Sequence, residues 1–147
     1  MTYTLSIFLF GPGGPDPAHW GFTIHSAPND WGTLLHVRMI DDRLNIFQYE
    51  HRNPHVLTDQ DAWGLCPLVT LTAAERLKVV TILENEVRVP RGGADNCQNW
   101  VVDGLVALEV EGVVADGTTS LWAGRVAGLT SDIKRDVRER WISLHGR

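Results

Sequence analysis

The strongest constraint on the fold is a change of hydrophobic period partway along the chain. Up to about His51, apolar and polar residues alternate in short β-branched and aromatic runs, the two-residue period of half-buried strands. From Thr72 onward the apolar residues recur three and four apart, as on one face of a helix. Residues 2–10, 19–26, 33–40 and 44–51 read as strands, with 11–17 (three glycines and three prolines) as a loop and 27–32 as a hairpin-type connection. Asp41-Asp42 reads as a turn, and 55–68 lacks a period and is expected to be an irregular segment or lid. Thr72-Ala73-Ala74-Glu75 is a capping box, followed by Leu77, Val80, Leu83 and Val87 at helical spacing. Pro90-Arg91-Gly92-Gly93 breaks that helix. Asp95 or Asn96 caps the next, which carries Cys97, Val101, Gly104, Leu105 and Leu108 on one face. Beyond Gly117 the pattern is ambiguous until 131–144, read as a last helix with Ile133, Val137, Trp141 and Leu144 as its apolar stripe. Strands first and helices second predict an α+β fold. An antiparallel sheet from the N-terminal half would be packed against helices from the C-terminal half, in one domain spanning 1–147.

Composition narrows the function classes. A chain of 147 residues with 44% apolar and 21% charged residues has enough material for a packed core. Its net charge is −5 and no lysine or arginine run exceeds two residues, so it lacks the positive cluster that nucleic acid demands. No run approaches the roughly 20 apolar residues of a membrane span, and the apolar stretch at 5–10 is too short for a secretion signal. The expectation is a cytoplasmic protein with two reduced cysteines and no cofactor.

The candidate chemistry centres on Cys97, in Asp95-Asn96-Cys97-Gln98-Asn99-Trp100. A thiol at a helix start faces unpaired N–H groups and the positive end of the macrodipole, both of which favour thiolate. A histidine base would complete it. A hairpin centred between Ala27 and Pro28 sets His19 opposite His36 on one face, about 5 Å apart, with His25 in reserve on the same face. Trp20 and Trp100 are candidate walls of an acyl pocket, and Cys66, among apolar neighbours, reads as inert. Three alternatives stand beside acyl transfer. One is a non-catalytic binding module for a small molecule or peptide. Another is a cyclase or isomerase acting on a small metabolite. The last is a zinc site from Cys66, Cys97, His51 and His55, where His51 and His55 would share one face of an extended segment without a second close pair. The sequence does not distinguish a lid from a loop at Asp59-Gln60-Asp61, the 134–140 charges read as a solvated helix face, and His145 reads as surface.

His19-Trp20-Gly21-Phe22, Leu34-Leu35-His36-Val37 and Asn96-Cys97-Gln98-Asn99-Trp100-Val101 together resemble the circularly permuted papain-like (NlpC/P60-like) thiol enzymes. The branches they resemble are the lecithin-retinol acyltransferase-like proteins and the permuted deubiquitinase-like peptidases. The resemblance implies a permuted papain-like fold and an acyl-transfer reaction on an ester, thioester or amide of a small molecule or peptide. It also implies Cys97 as nucleophile, His19 as general base, His36 as orienting residue and the Cys97 N–H as an oxyanion donor. Gln98-Asn99 stands where the acyltransferase branch commonly has Glu-His.

Overall fold

The structure is a computed structural model that describes residues 1–59 and 61–144. Gln60 and His145, each named above, lie outside the described residues. Six strands, β1 (Tyr3–Phe10), β2 (His19–His25), β3 (Trp31–Asp41), β4 (Ile46–Val56), β5 (Ala62–Leu71) and β6 (Ile142–Ser143), form one antiparallel sheet. Its order is β4-β3-β2-β1-β5-β6. The helices are α1 (Ala73–Asn85), α2 (Cys97–Val110), α3 (Thr118–Ala123) and α4 (Thr130–Val137). The α+β class follows as the period change predicts.

Alternation gives the sheet two unlike faces. Leu5, Ile7 and Leu9 of β1, Trp20, Phe22 and Ile24 of β2, and Leu35 and Val37 of β3 join Trp100, Val101, Leu105 and Leu108 of α2 in the main core. Gly104 lets α2 approach closely: a Cβ there would lie 2.9 Å from Leu83 Cδ2 and 3.0 Å from Phe22 Cε2. On the other face Phe8, Leu57, Ala62, Leu65 and Leu144 form a small second cluster.

Three local expectations are corrected. Most of 55–68 is sheet, because β4 runs through Val56 and β5 starts at Ala62. The prolines that obscured it are tolerated: Pro54 lies on an edge strand and Pro67 at a register shift in the β1–β5 ladder. The last helix stops at Val137, where Arg138 takes a positive φ of 58° and a 3-10 turn leads into β6. Trp141 and Leu144 then pack on the sheet instead, Trp141 over Gly64, where any Cβ would collide with its ring. In α1 the buried residues are Val79, Ile82 and Leu83, while Leu77 is 65% exposed.

Candidate active site

Cys97 opens α2, and its position is fixed from three directions. Asn96 caps the helix: its Oδ1 accepts the Gln98 N–H, and Asn99 Oδ1 accepts the Asn96 N–H, each at 2.9 Å. Asn45, in the turn between β3 and β4, donates from Nδ2 to the Gly93 and Asp95 carbonyls and so holds the approaching loop. Gln98 is fully buried. Its Nε2 donates to the Ala18 carbonyl at 2.8 Å and its Oε1 accepts the Ala127 N–H at 2.7 Å. The helix start is thereby tied to the residue that precedes β2.

His19 is the first residue of β2, and its Nε2 lies 2.7 Å from His36 Nδ1. The two rings meet edge to face with centroids 4.9 Å apart. The register differs from the expected one by two residues, since Phe22 pairs with Leu35 and His25 with Gly32. A shift of two preserves the face, so the two histidines still converge, now on a diagonal. Gly21 makes room for this: a Cβ there would stand 3.0 Å from His36 Cβ. His25 lies at the other end of the strand, so His36 is the partner.

A third member escaped the sequence reading. Glu50 pairs directly with His36 across the β3–β4 ladder, and its Oε1 lies 2.7 Å from His36 Nε2. A turn centred on Arg43 sets positions 36 and 50 opposite, so the signal lay in the Asp41-Asp42 turn. The His36 bond holds the Glu50 carboxyl below its ordinary range, with Arg52 at 3.0 Å and Arg38 at 4.0 Å adding to this. As a carboxylate Glu50 only accepts, so His36 donates from Nε2 and presents a bare Nδ1. His19 must then donate from Nε2, which leaves the lone pair on His19 Nδ1. Burial, with the His36 ring adding to it, pushes His19 down to about 3, so it is neutral at neutral pH. Burial also lowers His36, against the pull of Glu50.

The thiol corrects one expectation. Burial dominates and raises the Cys97 pKa above its ordinary value, although backbone N–H groups of Trp20, Gln98 and Cys97 itself act the other way. The resting pair is therefore thiol and neutral imidazole rather than thiolate and imidazolium. The β2–β3 ladder stops at Phe22–Leu35, and the Trp20 N–H beyond its end faces the thiol. Among the described residues no hydrogen bond joins the thiol to His19; the backbone of Ala18–Trp20 links them.

Trp20 and Trp100 are both completely buried, Trp20 edge-on to Trp122 and Trp100 against Phe22 and Tyr49. They build the layer between sheet and α2 and offer no surface to a ligand. Cys66 is free and buried on β5, and burial pushes its thiol up to about 12. His51 pairs with Leu35, but a bulge between Gly32 and Leu34 turns His55 to the opposite face, edge-on to Phe8. Among the described residues no group of three or more metal-binding side chains forms, and no helix is long and apolar enough to cross a membrane.

Residues 5–115 match a family of unknown function, DUF6540, and the chain belongs to it. No curated protein and no solved structure matches the chain.

Proposed function

We propose that this DUF6540 protein is a cysteine-dependent acyl-transfer enzyme with Cys97 as nucleophile, His19 as general base and His36 as the residue that orients it. The fold assigned to this reading is the permuted papain-like one, and the substrate is an ester, thioester or amide of a small molecule or peptide. The observation that carries the reading is the hydrogen-bonded row Glu50–His36–His19 at the start of β2, the end of the strand to which Gln98, the neighbour of Cys97, ties the helix through the Ala18 carbonyl.

The chemistry follows from the protonation states. Both partners rest neutral and are not in contact, so the Cys97 side chain must first turn toward the start of β2; His19 Nδ1 then takes the thiol proton as Sγ attacks the substrate carbonyl. The Cys97 N–H, unpaired at the helix start, donates to the developing oxyanion. Collapse of the tetrahedral species returns the proton from His19 to the leaving group and leaves a thioester on Cys97. Water, or an acceptor amine or alcohol deprotonated by His19, then attacks the thioester and frees the enzyme. Attack from within the same substrate would instead give cyclisation.

One observation favours a second reading. Cys97 is only 8% exposed and makes no hydrogen bond to His19, as suits a scaffold that binds without reacting. Intact-mass spectrometry after exposure to a series of p-nitrophenyl esters and acyl thioesters decides between the two. Acyl transfer predicts a single acyl adduct that maps to Cys97, is absent from Cys97→Ala and is strongly slowed in His19→Ala. Persistent lack of any adduct at Cys97, with binding of the same compounds unaffected by Cys97→Ala, would establish the binding scaffold.

A further inference from the structure

At the far end of β2 from His19, six residues and about 20 Å along the strand, lies a cavity of about 270 Å³. Its lining includes Tyr3, His25, Trp31, Thr33, Asn53 and Arg76, and none of the residues that line it is acidic. Arg76 is held in place: its Nη2 donates to Thr33 Oγ1 at 3.1 Å, and its guanidinium lies 5.2 Å from the centre of the Tyr3 ring. Among the described residues no carboxylate lies within ion-pair distance of it. A half-buried, preorganised guanidinium without a counter-ion, in a hollow free of acids, is matched to a bound anion.

The same hollow has an apolar extension. Trp31 and Asn53 also line a shallower depression of about 410 Å³ bounded by Pro54 and Val56. Trp31 is 53% exposed and Val56 57% exposed, an aromatic plane and an aliphatic side chain left to solvent side by side. The anion-matched end and the apolar end therefore share the Trp31 indole as a common wall.

We propose that this continuous hollow is a binding site for a small amphiphilic carboxylate, its charged group on Arg76 and its apolar body along Trp31 toward Pro54 and Val56. The site goes beyond the acyl-transfer reading and does not depend on it. His25 adds a ring whose buried Nδ1 has no hydrogen-bond partner among the described residues, at the edge of the same cavity. Asn53 lies where the two hollows join, beside the passage the ligand body would follow.

Proton–nitrogen correlation spectra of the full chain test this, with phenylacetate and hexanoate as probes and neutral phenylacetamide as control. Saturable shifts of the Trp31 indole N–H, assigned by Trp31→Phe, and of the Thr33 amide are expected with both carboxylates. Phenylacetamide should bind at least about tenfold more weakly, as should Arg76→Gln toward phenylacetate, while Arg76→Lys, which keeps the charge but loses the fork, falls between. Thr33→Val provides a second variant that removes the hydroxyl anchor without touching the charge, and it should also weaken phenylacetate. Cys97→Ala should bind like the wild type, which keeps this site separate from the thiol. Absence of saturable shifts at Trp31 with both carboxylates, or equal affinity for phenylacetate and its amide, would overturn the proposal.

Discussion

The two faces of the sheet are built from the same strands and do opposite work. In β2, Trp20, Phe22 and Ile24 point toward the helices and are almost completely buried, while His19 points the other way toward His36. On β3 and β4, Leu35 and Tyr49 join the helix-side packing, while His36 and Glu50 meet on the other side. The helix side supplies rigidity through apolar burial. The other side carries polar groups whose protonation is set by neighbours, and it stays ordered because its alternate residues are anchored in the core. Changes to the first face should therefore cost mainly stability, and changes to the polar row Glu50–His36–His19 on the second should cost mainly chemistry.

The largest effect should come from Trp100→Ala. Removing a fully buried indole between Phe22 and Tyr49 should lower stability by about 3–5 kcal/mol, against a smaller loss for His36→Ala; denaturant unfolding of both variants measures the contrast. A comparable loss in His36→Ala would erase the division between the faces. Gln98→Ala tests the place where the faces meet. It leaves the Ala18 carbonyl and Ala127 N–H without their partner, so stability should drop by about 2–3 kcal/mol, and acylation of Cys97 should fall with it. Retained acylation would show that this tie does not position the thiol.

Smaller effects sharpen the polar face. Glu50→Gln keeps the shape but lets the side chain donate, so the tautomers of His36 and His19 are no longer fixed. An acylation rate lower by about tenfold, roughly 1.4 kcal/mol, with an altered pH profile is the expected outcome. A variant with unchanged rate and profile would reduce Glu50 to a surface ion pair. The last effect is on stability against pH. The folded state lowers the pKa of His19, His25, His36 and His55, mainly by burial, so each takes a proton more readily in the unfolded chain. Stability is fully present above the ordinary value of 6.5 and is lost as pH falls from there toward about 3, the value of His19. Thermal melts should drop by a few degrees across the upper part of that window, and less in His55→Phe.

The sequence made the helix side far more legible than the other. The α2 face and its capping asparagine followed from local spacing, because Cys97, Val101, Gly104, Leu105 and Leu108 need only a helical period to coincide. The convergence of His19 and His36 was also legible, since any even register error leaves both on one face. The register itself was not, because Ser26 leaves the strand: its carbonyl accepts the Asn29 N–H and its hydroxyl bonds to Thr2. Gly32 read as turn, yet it pairs with His25 at an approach too close for any side chain. Glu50 and Gln98 were missed for a common reason. Each acts through a contact distant in sequence that no local period encodes. The rise in the Cys97 pKa was hidden likewise, because the helix start is local and the burial that outweighs it is not.

The most direct test of the relay is the nitrogen chemical shifts of the histidine side chains at neutral pH, assigned with His19→Ala and His36→Ala. The geometry predicts that both His19 and His36 are neutral and carry their proton on Nε2, with Nδ1 of His19 bare. A His19 protonated on Nδ1, or an imidazolium at neutral pH, would contradict the row that runs from Glu50 through His36 to His19.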